Sequence, residues 1–255
     1  MSRRDQAVRG TLHLLYHELH PTPGDYTYAL GTTEFARHLS LYRKLQSAGT
    51  DAIRPAVTFD DGHISNYEYA LPALALAGVR AHFFITAGWT SHRANYMGWE
   101  HLRALIAAGH KVGAHGWSHA LLTHCSPKDL QRELTDARHL LEDKLGISVR
   151  TMSLPGGRSN SEVLQACTRA GYHQVFTSVP KAELADTPPL VGRLNLRSDA
   201  TAEWLERLLT SRDGVLGKLE RQHRLKQAAQ RALGDVLYGK LWALLNRARP
   251  SAEPA

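Results

Sequence analysis

Two short segments carry side chains of the kinds that bind divalent metals and move protons. The first holds adjacent carboxylates, Asp60 and Asp61, directly after an apolar run. The second holds two histidines four residues apart, His115 and His119, after another apolar run. Two neutral imidazoles and one carboxylate form a facial metal site that leaves coordination positions open. Because the remaining carboxylate can take a proton from water, these residues predict metal-assisted hydrolysis.

The alternative is that these histidines are ordinary solvated side chains, because the chain contains 15 histidines. One histidine pair alone would favour that alternative. At spacing i, i+4 both imidazoles point the same way on a helical turn, and Asp61 can reach them from a neighbouring strand end. The combination of the His115–His119 pair with Asp60–Asp61 therefore favours a metal site.

The elements that must position these residues alternate between short β-type runs and longer helical patterns. Strands are predicted at Thr11–Tyr16, Ala56–Phe59, Ala81–Thr86, Lys111–Ala114, Thr151–Leu154, Gln174–Ser178 and Leu190–Leu196. Helices are predicted at Thr33–Ala48, Tyr67–Ala77, Trp99–Ala108, Pro127–Leu145, Ser161–Ala170 and Thr201–Thr210. About seven strands separated by helices indicate parallel βα units in an α/β fold.

Periodicity alone leaves open whether this sheet closes as a barrel or lies open as a doubly wound sheet. The candidate motifs help, because Asp60–Asp61, His115–His119 and Pro155–Gly157 all come directly after the carboxyl ends of predicted strands. Residues placed in this way converge on one face of a βα barrel, where active sites lie. The motif positions therefore favour a barrel.

The length and charge of the chain predict a large domain with an appendage. A chain of 255 residues fits one large domain, and we place a barrel at residues 1–210 and a basic helical tail at residues 211–255. The formal net charge is +7, and residues 206–250 hold ten Lys and Arg against four Asp and Glu. The chain before residue 206 is nearly neutral. This argues against a nucleic-acid groove in the barrel and against nucleic acid as a partner.

The tail has apolar residues on one helical stripe and basic residues on the other face. One interpretation is a peripheral membrane helix at an anionic surface. The other is a helix packed across the barrel or onto a second subunit; the oligomeric state stays open. The only cysteines, Cys125 and Cys167, predict neither a disulfide nor a zinc–thiolate site. We find no secretory signal and expect a cytoplasmic protein, peripheral at the inner membrane face in the first interpretation.

Two motifs resemble those of the polysaccharide deacetylases, the NodB-homology enzymes of carbohydrate esterase family 4. Thr58–Gly62 is similar to the TFDDG motif, and Gly109–His119 is similar to the motif G-x-E-x-G-x-H-[S/T]-x-x-H. The resemblance implies a distorted, incomplete (β/α) barrel of about seven parallel strands, here with a C-terminal helical appendage. It also implies removal of N- or O-acetyl groups from sugars with one divalent metal ion, usually Zn²⁺, with Co²⁺, Ni²⁺ or Mn²⁺ as alternatives.

The resemblance also implies roles for individual residues. Asp61, His115 and His119 would ligate the metal, and Asp60 would be the catalytic base. The segment Ser153–Gly157 aligns with a third motif, R-P-P-[Y/F]-G. The substrate-binding residues that these loops imply are Pro155, Gly156 and Trp117. The backbone N–H of Gly156 would hold the oxyanion, and a sugar ring can stack on Trp117.

The chain departs from the family pattern at several positions. Ser153 replaces the arginine that braces the base, and Gly156 replaces an aromatic residue. No fifth-motif L-x-H is evident, because Leu194–Leu196 occupies its place. Arg193 and Arg158 are candidates for the missing positive charge. His17, after the first strand, is a candidate catalytic residue at the same mouth, or else a surface or outer-sphere histidine.

The leading hypothesis is a metal-dependent hydrolase that removes acetyl groups, N-acetyl in the first place, from a carbohydrate. Its place would be the biosynthesis of an exopolysaccharide or cell-surface glycan, with an acetylated glycan as substrate. One rival is a glycan-binding protein on the same fold whose catalysis has weakened, as the departures at Ser153 and Leu194–Leu196 suggest. Another is a small-molecule amidase that uses the same metal site.

Overall fold

The computed structural model describes residues 10–22, 24–47, 52–184, 188–210, 214–226 and 228. Within them, eight parallel strands form one sheet and two short strands form a separate ribbon. The strands are β1 Thr11–Tyr16, β2 Glu18–His20, β3 Ala29–Gly31, β4 Arg54–Phe59, β5 Ala81–Ile85, β6 Lys111–Ala114, β7 Thr151–Ser153, β8 Gln174–Phe176, β9 Leu190–Val191 and β10 Arg193–Asn195. The order in the large sheet is β10-β1-β4-β5-β6-β7-β8-β9.

The large sheet is nearly closed, because its two edge strands are consecutive in the chain. β9 pairs with β8 and β10 pairs with β1, and only Gly192 separates them. A Cβ atom at Gly192 would lie 2.6 Å from the carbonyl oxygen of Val179, so only glycine fits at this point. The predicted strand Leu190–Leu196 is therefore two short strands that join both edges of the sheet. The predicted (β/α) barrel is confirmed.

The helices cover the outside of the barrel and agree closely with the predicted ranges. They are α1 Thr32–Ser47, α2 Leu71–Ala77, α3 Trp99–Ala107, α4 Pro127–Gln131, α5 Ala137–Leu145, α6 Ser161–Arg169 and α7 Ala202–Leu209. Two predicted helices contain wider, π-type turns, at Asn66–Ala70 and Arg132–Asp136. The first precedes Pro72, whose ring would collide with the preceding turn of a regular helix.

The ribbon of β2 and β3 was not predicted, because each strand is only three residues long. In the chain the two strands lie between β1 and α1. They pair in parallel, and Leu19 is fully buried. Because side chains alternate along a strand, the burial of Leu19 turns Glu18 and His20 together to the other face. The ribbon thereby places polar side chains beside the carboxyl end of β4.

Part of the predicted tail lies against the barrel. Residues 215–226 are helical, and Val215, Leu216 and Leu219 pack against the core. The amphipathic stripe beyond residue 228 lies outside the described residues, so the division at residue 210 stays a prediction. Across the part of the chain that the structure describes, no helix is both long and apolar enough to cross a membrane.

Candidate metal centre and catalytic base

A tight turn at the end of β4 gives two neighbouring carboxylates different surroundings. The backbone N–H of Asp60 donates to the carbonyl of Tyr16 at 3.1 Å, which continues the pairing with β1. Asp61 then takes a left-handed conformation with φ 72°, and Gly62 comes next with φ 87°. Aspartate tolerates this conformation better than most residues, and such backbone is concentrated at functional sites. The turn keeps Asp60 inside the barrel and turns Asp61 toward its mouth.

The first histidine is oriented by its own hydrogen bond. His115 comes directly after β6, and its Nδ1–H donates to the carbonyl of Ser153 at 2.8 Å. In the neutral ring this bond places the proton on Nδ1 and leaves the lone pair of Nε2 facing Asp61. His115 is 2% exposed, which keeps the ring in this single orientation.

The second histidine reaches the site by a loop and not by a helical turn. Residues 115–120 are not helical, and both Gly116 and His119 have positive φ, at 81° and 65°. The prediction that the i, i+4 spacing works through a helical turn was therefore wrong. The rings of His115 and His119 nevertheless meet edge to face, with centroids 5.0 Å apart.

A buried glutamate holds this loop. Glu133, in the π-type turn between α4 and α5, is 4% exposed. Its carboxylate accepts from the backbone N–H of Trp117 at 2.8 Å and from Ser118, through N–H at 3.0 Å and Oγ–H at 2.5 Å. A Cβ atom at Gly116 would lie 2.7 Å from Oε2 of Glu133. The carboxylate thus explains why glycine comes after His115, where the family pattern has Ser or Thr.

Asp61, His115 and His119 form a group with the chemistry of a metal site. Oδ1 of Asp61 lies 3.2 Å from Nε2 of His115 and 3.3 Å from Nε2 of His119. One ligand atom from each residue lies within 4.8 Å of the others. Oδ1 of Asp61 is buried and makes no hydrogen bond within the described residues. Because a buried carboxylate oxygen without a partner is costly, these atoms fit a divalent cation.

Asp60 lies in a different network, at the centre of the barrel. Arg193 of β10 donates two parallel hydrogen bonds to it, from Nη1 to Oδ1 at 2.7 Å and from Nη2 to Oδ2 at 2.8 Å. Ser153 donates from Oγ to Oδ2 at 2.9 Å and accepts from Nη2 of Arg193 at 2.6 Å. Arg193 and Ser153 are both fully buried. The structure thus brings Arg193, rather than Arg158, to Asp60.

The charges around these groups shift their pKa values. Burial alone raises the pKa of Asp60, but the Arg193 guanidinium outweighs it, so the pKa lies below its ordinary value. Burial likewise raises the pKa of Asp61, and the imidazoles of His115 and His119 bring it well below the ordinary value. Burial lowers the pKa of His115, but Asp60 and Asp61 outweigh it and the pKa is raised. Both carboxylates are therefore ionised at neutral pH.

The remaining predicted site residues differ in burial and in the groups near them. Burial lowers the pKa of His17, and Asp61 and Asp60 lie close enough to oppose that shift. Nδ1 of His17 is a buried atom without a hydrogen-bond partner within the described residues. Pro155 is buried, whereas Gly156 is exposed with φ 64°. Trp117 is half-buried, and the guanidinium of Arg132 lies 5.1 Å from its ring centre.

Trp89 forms the side of the mouth next to His119. Its ring stacks on His119 with centroids 5.5 Å apart and meets Tyr96 at 4.7 Å. Arg93 covers the Trp89 ring, with its guanidinium carbon 4.1 Å from the centroid. The aromatic group thus borders the candidate metal centre on its open side.

Two residues of this site were not predicted from the sequence. Ser153 looked like a loss because an arginine was expected there, yet its hydroxyl bridges Asp60 and Arg193. Glu133 gave no local signal, since it lies 14 residues after His119 in a helical pattern. A buried position for Glu133 in an amphipathic helix would have been the only sign.

The amino-acid sequence was compared with models of known protein families. The family model described as polysaccharide deacetylase matches residues 48–175, half of the chain. The chitooligosaccharide deacetylase of Sinorhizobium fredii is 29% identical over 145 residues, which cover 56% of this chain and 65% of that protein. The chain spans between 45% and 65% of the lengths of three curated relatives that it matches.

Two solved structures have the same fold. The Streptococcus pyogenes deacetylase PplD, in complex with acetate, superimposes with a TM-score of 0.70 at 19% identity, over 78% of this chain and 98% of PplD. IcaB from Ammonifex degensii superimposes with a TM-score of 0.66 at 23% identity, over 79% of this chain and 97% of IcaB. At these identities the likeness shows the fold alone.

Proposed function

We propose that this chain, which belongs to the polysaccharide deacetylase family, is a metal-dependent hydrolase that removes N-acetyl groups from a carbohydrate. One observation carries the proposal. Two adjacent carboxylates have separate partners: Asp61 faces two imidazoles with an unpaired buried oxygen, and Asp60 is held by Arg193. A metal ligand and a proton acceptor side by side are what amide hydrolysis requires.

In this proposal Asp61, His115 and His119 hold one divalent ion, Zn²⁺ in the first place. When bound, the ion supplies Lewis acidity toward the acetyl carbonyl and toward water. Asp60 accepts a proton from the attacking water, and Arg193 keeps its carboxylate ionised and oriented. The N–H of Gly156 donates to the oxyanion, and one such donor is worth about 3–4 kcal/mol. The C–N bond then breaks, acetate leaves and the amine takes up a proton.

The substrate class is inferred from the mouth of the barrel and from a relative. Trp89, Tyr96 and the guanidinium of Arg93 lie together beside His119, and aromatic groups with a hydrogen-bond donor suit a sugar. The Sinorhizobium fredii relative is named for chitooligosaccharide, which supports an acetylated amino sugar here. We therefore propose an N-acetylated glycan, in the biosynthesis of an exopolysaccharide or a cell-surface polymer. His17, beside both carboxylates, is a candidate for the group that protonates the amine.

The rival of a weakened, glycan-binding protein rested on two departures, the absent third-motif arginine at Ser153 and the absent fifth-motif histidine at Leu194–Leu196. The Arg193–Asp60 pair and the Ser153 bridge supply the same charge to the base from another strand. This arrangement favours an enzyme, since a binding protein needs no buried, ionised carboxylate beside a metal site. The small-molecule amidase keeps the same chemistry and differs from the leading proposal only in its substrate.

The test is acetate release by the zinc-loaded full chain from three substrates: an N-acetylglucosamine oligomer, an O-acetylated glycan and N-acetylglucosamine itself. We expect release from the N-acetylated oligomer. Preferential hydrolysis of the monosaccharide would favour the amidase. Binding of the oligomer without any release of acetate would favour the glycan-binding rival, and neither binding nor release would overturn the proposal.

A further inference from the structure

A second cluster of metal-ligand side chains lies at the barrel mouth, outside the site described above. It consists of Glu18 and His20 on β2 and His63 in the turn after β4, and we call it the ribbon cluster. One carboxylate oxygen and two imidazole nitrogens lie within 4.8 Å of one another. Nε2 of His20 is 2.8 Å from Oε2 of Glu18, and Nε2 of His63 is 4.0 Å from the same oxygen.

The strand places two of these ligands. Leu19 is fully buried between Glu18 and His20. Because alternate residues of a strand share a face, the burial of Leu19 fixes both polar side chains on the opposite face. Glu18 and His20 therefore do not depend on side-chain flexibility to meet.

The third ligand is held by hydrogen bonds around its other nitrogen. Nδ1 of His63 is 2.9 Å from Oγ of Ser65, and that hydroxyl accepts from the backbone N–H of Leu19 at 3.0 Å. Ser65 thus links the His63 turn to the ribbon strand. The backbone N–H of Ser65 also donates to Nδ1 of His63 at 3.2 Å, so the neutral ring carries its proton on Nε2. Nε2 is turned toward Glu18, and a metal ion bound there would displace that proton.

We propose that Glu18, His20 and His63 bind a second divalent transition-metal ion. Two imidazoles and one carboxylate favour Zn²⁺, Co²⁺ or Ni²⁺ over Mg²⁺ and Ca²⁺, which prefer oxygen ligands. The side chains are 23%, 34% and 12% exposed, respectively, so the remaining coordination positions are open to water. Affinity is lower than at Asp61–His115–His119, because the ion must replace the hydrogen bond between His20 and Glu18.

The test is equilibrium dialysis of the full chain against Zn²⁺, with the bound metal measured by elemental analysis. We expect a second equivalent on the wild type. His20→Ala and Glu18→Gln each weaken it by at least about tenfold and leave the first equivalent in place. His119→Ala loses the first equivalent and keeps the second. The matched control is His139→Ala, which removes an exposed histidine of α5.

The proposal is overturned if the wild type binds a single equivalent that His20→Ala leaves in place or if the isotherms of wild type and His20→Ala superimpose. It is also overturned if His139→Ala lowers binding as much as His20→Ala does. Glu18→Gln keeps the shape of the side chain, so a folding defect in His20→Ala does not decide the result. If the wild type binds one equivalent that His20→Ala removes and His119→Ala leaves in place, the ribbon cluster is supported and the assignment of a metal to Asp61, His115 and His119 fails.

Discussion

The candidate metal centre and the ribbon cluster each have one carboxylate oxygen that faces two imidazoles. The two oxygens differ in the hydrogen bonds that they already make. Oδ1 of Asp61 is nearly equidistant from two imidazole nitrogens, at 3.2 and 3.3 Å, and has no hydrogen bond within the described residues. Oε2 of Glu18 lies 2.8 Å from one imidazole nitrogen and 4.0 Å from the other. In the ribbon cluster a short hydrogen bond already satisfies the carboxylate, whereas Oδ1 of Asp61 has no such bond within the described residues.

Ligand types alone therefore do not determine which of two metal sites binds more tightly. Both clusters offer two imidazoles and one carboxylate, and both lie partly open to water. The binding free energy of a metal ion is more favourable where the ligand atoms have no other partner, because no existing hydrogen bond must be broken. This difference predicts a strong site at Asp61 and a weaker one at Glu18.

The largest expected effect comes from removing the partner of the base. Arg193→Met leaves the buried carboxylate of Asp60 unpaired, and breaking a buried pair in this way costs about 3–5 kcal/mol of unfolding free energy. Without the guanidinium the pKa of Asp60 rises, so the acid limb of the pH–activity profile moves to higher pH. Urea unfolding and acetate release between about pH 4 and 9 measure the two effects.

The matched control is Arg37→Met, which removes an exposed arginine whose Nη1 lies 3.4 Å from Glu34. We expect a change within about 0.5 kcal/mol there. If Arg193→Met unfolds no more easily than Arg37→Met and keeps the wild-type pH profile, then Arg193 does not set the charge state of Asp60.

A smaller effect is expected at the carboxylate that holds the His119 loop. Glu133→Gln replaces one acceptor oxygen by a donor that faces the N–H groups of Trp117 and Ser118. We expect about 10–100-fold weaker metal binding at Asp61–His115–His119, as for other residues that position ligands. Zinc titration should show this loss for the first equivalent only, with the ribbon cluster unchanged.

The control for this change is Glu162→Gln on α6, where the glutamate is exposed in the first helical turn. Equal zinc isotherms for Glu133→Gln and the wild type would mean that the loop keeps its shape without the carboxylate. A loss at both metal sites would mean a general effect on the fold and not the positioning of His119.

The sequence was sufficient for the barrel and for the residues that meet at its mouth, for a physical reason. The residues directly after parallel strands lie on one face of the sheet, so Asp60, Asp61 and His115 could be grouped from strand positions alone. The barrel closure at Gly192 was not predictable, because one apolar run serves both edges of the sheet. The route by which His119 arrives was also missed, since positive φ at a histidine leaves no pattern in the sequence.

The contacts made by Arg193 could likewise not be predicted without the tertiary structure. Arg193 was one of two candidates for the missing positive charge, but only the closed barrel shows its two parallel hydrogen bonds to Asp60 and the hydroxyl bridge from Ser153. The ribbon cluster was not predicted, because a three-residue strand gives too short a pattern to recognise. Local patterns thus found single residues, and the distances between strands decided how the residues combine.

The most direct test of the central claim, that two adjacent carboxylates have separate tasks, measures zinc content and acetate release together in Asp60→Asn and Asp61→Asn. We expect Asp60→Asn to keep the first equivalent of zinc and lose activity by about 10²–10⁴-fold, because asparagine cannot accept the proton. Asp61→Asn should lose both. The account is contradicted if Asp60→Asn loses the zinc or keeps its activity, or if Asp61→Asn binds zinc at the first site as the wild type does.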